Sequence, residues 1–489
     1  MRSTTAAALT LVSGAHAFWR MPCRTETGVA RMDPIVDPGQ IADHVHTIAG
    51  SGNFHMESTY ADLTAEGACT SCAVTQDHSA YWTPALYFVY SNGSSVIVPQ
   101  IGGMLAYYLY YMDNVKAFPE GFQMLAGQRD LRSFNGSFPD EPLSSWPQEP
   151  DDQKWLSQRA LGFNCLNYGA TAEPSLYRHE LPEKSYMDAN CKDGMRLEIG
   201  FPSCGNGELD SDDHQSHVAY PNLVKEGKCP EGYDIHYPFL FFETIWATNK
   251  FAGEDGEFAL SHGDPTGAGY HGDFIMGWES SDFLQKALDT CQNQSGRIED
   301  CALFDIQEDS KADQCSFEMP EVLSDEDVMS IQDGIPMGVP MQYGPADATK
   351  YPCVGRDGHS EPTKSAKSSK PSSSASDYGL LSKASSALFG DDDSKSSEGS
   401  DKASSYGSST ASDAEVAAAS ITASPSIYDA VDSSSANIVS TKTVTENGEV
   451  VEIAIEEVDM TVTATASQAA DDKYRRHLHN HKRHGGARL

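Results

Sequence analysis

The chain of 489 residues carries 71 acidic and 34 basic side chains, for a formal charge of −37, and is 39% hydrophobic. A polyanionic partner would be repelled over most of such a surface, which argues against nucleic-acid binding. The length allows two or three average domains, less whatever part of the chain is low complexity.

The opening stretch, MRSTTAAALTLVSGAHAFWR, has an early arginine, a short apolar run from Ala6 to Val12, and small residues at Ala15 and Ala17. It reads as a secretory signal peptide over residues 1–17, cut before Phe18, and is too short to span a bilayer. Secretion leads to an oxidising compartment, and eleven cysteines fit that expectation, ten of them between Cys23 and Cys315 with Cys353 beyond. Such usage predicts structural disulfides in preference to thiol chemistry. Cys69 and Cys72 are spaced as in a redox pair or half a zinc site, but no second pair completes a zinc ligand set. The odd total leaves one thiol unpaired or joined to another chain. Sequons at Asn92, Asn135 and Asn293 agree with a secreted glycoprotein.

Residues 18–355 form the predicted folded body. Its apolar segments are short: Ala85 to Tyr90, Ser95 to Gly102, Leu105 to Met112 and Phe239 to Ala247. They are rich in β-branched and aromatic residues and bounded by Gly, Pro, Asn and Ser, the pattern of strands. Helical periodicity is clearest in SSDFLQKALDTCQN, with Ser280 or Ser281 as N-cap and Phe283, Leu284, Ala287, Leu288 and Cys291 on one face. The expected fold is mainly β, a disulfide-bonded, sandwich-like domain with few helices. Beyond it, the Ser/Ala/Asp-rich residues 356–440 cannot bury enough apolar surface to order and read as disordered. Residues 441–466 hold a hairpin pattern around Asn447-Gly448, and 467–489 are basic and His-rich. No segment near the C-terminus reads as a membrane span or lipid-anchor signal.

Three polar clusters carry the chemistry. DHVHTIAGSGNFH contains Asp43, His44, His46 and His55; on a strand, His44 and His46 project to one face and offer two imidazoles to one cation. DSDDHQSHVAYP contains Asp210, Asp212, Asp213, His214 and His217, with the histidines at the spacing of a helical turn. Its competing reading is a polar loop whose carboxylates cap backbone amides. SHGDPTGAGYHGDFIMGW contains His262, Asp264, His271 and Asp273, with two His-Gly-Asp triplets nine residues apart. A divalent metal ion held by His44, His46, His214, His217 and His271 would lower the pKa of a bound water, with Asp77, Asp213 or Asp273 as base. Tyr81, Trp82 and Trp278 accompany these clusters and suit a sugar-stacking platform.

The motifs FWRMPC, RMDPIVDPGQIADHVHTIAG, CTSCAVTQDHSAYWTPALYF, AFPEGFQMLAG, FPSC, DSDDHQSHVAYP and GDPTGAGYHGDFIMGW occur in order between residues 18 and 290. Together they resemble the fungal secreted family known as domain of unknown function DUF1996. The resemblance implies a fungal source and an extracellular location, with attachment to the cell wall as one outcome; it carries no established activity. Two functions are expected to compete: a secreted hydrolase or lyase acting on cell-wall polysaccharide, and a non-catalytic cell-wall or glycan-binding protein in which the same clusters hold a structural metal or a sugar.

Overall fold

The computed structural model describes residues 18–293 and 295–351 in full, and residues 438–446 and 449–456 as backbone. The leader at 1–17, Cys353, the low-complexity stretch at 356–440, the Asn447-Gly448 turn and the basic end at 467–489 lie outside the described residues. The body is mainly β, as expected. Five short α-helices occur among the described residues, Tyr60–Leu63, Gln153–Arg159, Lys184–Asn190, Ser281–Thr290 and Asp309–Ala312.

Two five-stranded antiparallel sheets dominate. The first runs Phe18–Cys23, Gln100–Leu109, Phe239–Trp246, Met195–Gly200, Leu161–Cys165 in spatial order; the second runs Gly28–Ala30, His46–Gly50, Ala80–Pro84, His271–Ile275, Gln123–Gly127. Side chains alternate between faces with a period of two, so each sheet sends one set inward. Trp19, Met21, Ala106, Tyr108, Leu197, Ile199, Leu240 and Phe242 from the first meet Ala49, Tyr81, Met124, Ala126 and Phe274 from the second in one buried core. Tyr81 packs edge-on to Phe242 with ring centroids 5.5 Å apart. This is a sandwich. The outer face of the second sheet is also buried, because Met32, Ile35, Phe54, Leu63, Phe317 and Leu323 cover its Ile48, Trp82 and Ile275. A four-stranded sheet, Gly256–Leu260, Leu86–Tyr90, Ser94–Ile97, Gln332–Asp333, adjoins the sandwich.

Strand expectations shift where proline intervenes. The apolar run from Ser95 to Gly102 is two strands, Ser94–Ile97 and Gln100–Leu109, broken at Pro99, which has no N–H for a ladder. The predicted helix is present as Ser281–Thr290, and the Ser280 side chain accepts from the Phe283 N–H as its N-cap. Beyond residue 351, the described strands Ile438–Glu446 and Glu449–Glu456 pair antiparallel.

The ten described cysteines form five disulfides: Cys23–Cys72, Cys69–Cys315, Cys165–Cys191, Cys204–Cys229 and Cys291–Cys301. Cys69 and Cys72 therefore bond different partners and are not a redox pair. The Cys69–Cys315 bridge joins residues 246 apart in sequence. Replacing both by serine is expected to lower stability by roughly 2–5 kcal/mol, the range for native disulfides closing long loops. Denaturant unfolding with an unchanged midpoint would contradict this.

Candidate metal centre

The centre of the site is the pleat of one strand. In His271–Ile275, Phe274 enters the sandwich core while Ile275 joins the cluster on the opposite face, so His271 and Asp273 project outward with Ile275. Gly272 permits the sheets to approach: a Cβ there would lie 3.1 Å from Ile199 and 3.2 Å from Phe201. His46 opens a strand two places away in the same sheet, on the same outer face as Ile48. His44 lies just before that strand, and its ring centroid is 4.2 Å from that of His46 and 5.0 Å from that of His271. His262 arrives from the turn after Gly256–Leu260, with ring centroids 5.0 Å from His271 and 5.3 Å from His44. Two groups result, His44/His262/His271 and His46/His271/Asp273, with the ligating atoms of each within 4.8 Å of one another.

Hydrogen bonds fix the tautomers. His46 Nδ1 donates to the Met32 carbonyl at 3.1 Å, and His271 Nδ1 donates to the Gly269 carbonyl at 2.9 Å. His44 Nδ1 pairs with the Asp43 carboxylate, whose other oxygen accepts from Arg129 at 2.7 Å. In the neutral rings each Nε2 is left with a lone pair, and those of His44 and His271 lie 3.0 Å apart. Two imidazole nitrogens bound to one cation at about 2.0–2.1 Å sit roughly 3 Å from each other. Partners of this kind behind the ring are what metal-ligating histidines ordinarily have.

The rest of the cluster lacks partners. His46 Nε2, both ring nitrogens of His262 and both carboxylate oxygens of Asp273 are buried without a hydrogen bond. Buried polar atoms are nearly always satisfied, so five orphaned atoms in one cluster call for a ligand. Gly269 keeps this space narrow: a Cβ there would sit 2.9 Å from His262 Nε2 and 2.7 Å from the Arg129 carbonyl. Burial, then repulsion from its neighbouring imidazoles, holds each of His46, His262 and His271 well below the usual histidine range. Burial, then the nearby Asp33, pushes Asp273 far upward. Asp43 goes the other way, because His44 and Arg129 together outweigh its burial.

The remaining expected site residues are elsewhere. His214 pairs with Asp210 at 2.9 Å. His217 Nδ1 faces the Ser211 hydroxyl at 3.0 Å and its Nε2 donates to the Gln123 carbonyl at 2.9 Å, which occupies both nitrogens. Neither belongs to the two groups. Asp213 accepts from the backbone N–H of Gln215 and Ser216 and from two serine hydroxyls. DSDDHQSHVAYP is thus the capping loop of the competing reading, in place of a third of a metal site. Asp77 is buried against the Tyr81 hydroxyl and the Ser79 N–H and belongs to neither group. Tyr81, Trp82 and Trp278 are fully buried, so none presents a face to a sugar. His262 is the candidate ligand that the sequence reading left out. Its signal was the first of the two His-Gly-Asp triplets, and tight turns at Gly263 and Gly267 return the chain to the second.

An antiparallel β-sandwich, cross-linked by disulfides and carrying a buried histidine–carboxylate cluster, defines the class of this protein. Residues 33–278 match the model of the domain of unknown function DUF1996. The chain belongs to that family. Comparisons with curated proteins and with solved structures gave no match.

Asp33 supplies a titration test. Its carboxylate caps the Ile35 and Val36 N–H groups, and burial pushes it up to about 6 from 3.8. The unfolded chain releases this proton near 3.8 while the folded chain keeps it until about 6. Stability therefore falls as pH rises through that window. Asp33→Asn keeps the capping oxygen, so in chelator-treated protein it is expected to remove that part of the slope between the two values. Denaturant unfolding at stepped pH that gives the same slope for both proteins would refute it.

Proposed function

We propose that this is an extracellular protein whose fold is completed by one divalent transition-metal cation held at His271. The observation that carries this reading is the set of orphaned buried atoms on His46, His262 and Asp273. An imidazole-rich set with one carboxylate suits zinc, copper, nickel or iron and not calcium, which takes oxygen ligands. A single cation follows from His271: both groups need it, its Nδ1 is spent on Gly269, and one Nε2 serves one ion. The five disulfides support the extracellular assignment.

Burial favours the non-catalytic alternative. All five candidate ligands are 4% exposed or less, whereas a cation that activates water for a polysaccharide must keep a position open to substrate. In this role the cation ties the covering segment, which supplies His44 and the Met32 carbonyl, to the sheet beneath.

Protein purified without chelator is expected to carry one equivalent of cation by elemental analysis and to unfold at lower temperature once stripped. His271→Ala, common to both groups, is expected to lose the metal, and His217→Ala to retain it. Wild-type protein that neither carries nor takes up any of these metals stoichiometrically disposes of the proposal. A polysaccharide-degrading activity abolished by His271→Ala would restore the hydrolase or lyase reading.

A further inference from the structure

Outside the metal centre, the helix Lys184–Asn190 and the residues before it meet the strand Gly256–Leu260 around an open cleft of about 440 Å³. That is within the size of small-ligand pockets. Its walls are pinned together: the Leu181 N–H donates to the Thr266 carbonyl at 2.8 Å, and the Gln342 N–H to the Gly263 carbonyl at 2.9 Å. Leu181, Met187 and Phe258 line it with apolar side chains and Glu180, Glu183 and Glu257 with acidic ones, one oxygen of Glu180 accepting from the Phe134 N–H at 2.6 Å. The lining's one ammonium, Lys184, is turned to the Asp188 carboxylate at 2.6 Å, so it does not neutralise those three.

Tyr343 adds a second kind of feature. It lines the cleft while 59% exposed, an unusual place for a large ring. Its hydroxyl donates to Glu257 at 2.6 Å, which tethers the exposed ring at its tip. An oriented aromatic face beside carboxylates recognises a ligand with an apolar C–H face, hydroxyls and positive charge. Linked amino sugars with free ammonium groups combine all three; uronic-acid chains would be repelled.

We propose that this cleft binds oligosaccharides of glucosamine type, with a pyranose ring stacked on Tyr343 and ammonium groups facing Glu180, Glu183 and Glu257. The site is independent of the cation. It also returns to the chain the sugar platform that the buried Tyr81, Trp82 and Trp278 do not provide.

The test is calorimetric titration of the full secreted chain with glucosamine tetramer, N-acetylglucosamine tetramer and galacturonate tetramer. Saturable binding is expected for the first alone, weakened by added salt. Tyr343→Ala is expected to weaken it about tenfold, the upper range of one ring's contribution, while Tyr343→Phe, which keeps the ring, loses less. Equal binding of the acetylated or galacturonate oligomer, no saturable binding, or affinity unchanged by Tyr343→Ala in a variant with wild-type unfolding temperature overturns the proposal. His271→Ala titrated in parallel separates the two sites: the cation proposal stands or falls on metal content, the cleft on sugar affinity.

Discussion

The pleat of His271–Ile275 governs both the fold and the site. A strand with both faces buried must satisfy two environments at once, and this one does so by alternation: Gly272 and Phe274 meet the sandwich core, His271 and Asp273 meet the covering segment. A slip of one residue would drive an imidazole and a carboxylate into the sandwich. The position is fixed from both sides, since Asp273 is paired with Trp82 on one neighbour and Leu125 on the other. The site is as rigid as the sheet that carries it.

Desolvation sets the chemistry. Burying a lone carboxylate is costly unless it is paired or neutralised, and Asp273 has neither an arginine nor an N–H to receive it. Arg129, whose charge is felt at Asp273, makes its ion pair with Asp43. Two solutions remain for Asp273, to hold a proton or to hold a metal. Protonation would relieve its charge yet leave His46 Nε2 unsatisfied, whereas a cation held by His46, His271 and Asp273 answers the carboxylate and both imidazoles together.

Legibility in the sequence followed the range of the interactions. Strand content, the Ser280-capped helix and the preference for disulfides rest on local pattern, and they are present in the structure. His44, His46 and His271 were legible as ligand types in polar, turn-bounded segments, but the register that makes them converge was not, because it depends on the pairing of Asp273 with Trp82 and of Ile48 with Trp82, which brings His44 to His271 across 227 residues of sequence. The reverse error arose at His214 and His217. Their loop has the composition of a site, but composition does not say whether a carboxylate faces a cation or a backbone amide; Asp213 faces amides. Aromatic residues misled for a related reason. Tyr81, Trp82 and Trp278 stand beside acidic residues in sequence, but alternate positions of a strand buried on both faces are all interior. Gly205, directly after FPSC, is set by packing that only the structure shows, since a Cβ there would lie 2.3 Å from the Tyr237 ring.

The proposed cation and the disulfides would solve one problem at different depths. Cys69–Cys315 ties the early part of the chain to the segment that closes over the second sheet, and His44 with His271 spans a comparable separation within that sheet's outer layer. A disulfide restrains the unfolded chain whether or not the native packing is present. A metal acts only where the native register has assembled its ligands, because its binding free energy is realised in the folded state. Loss of such a cation would leave the sandwich core intact, since Tyr81 and Phe242 pack against each other on the face of the sheet opposite to His271 and Asp273. The effect would fall on the covering segment around Met32, Asp33 and His44, whose polar contacts to the sheet run through His46 and His271.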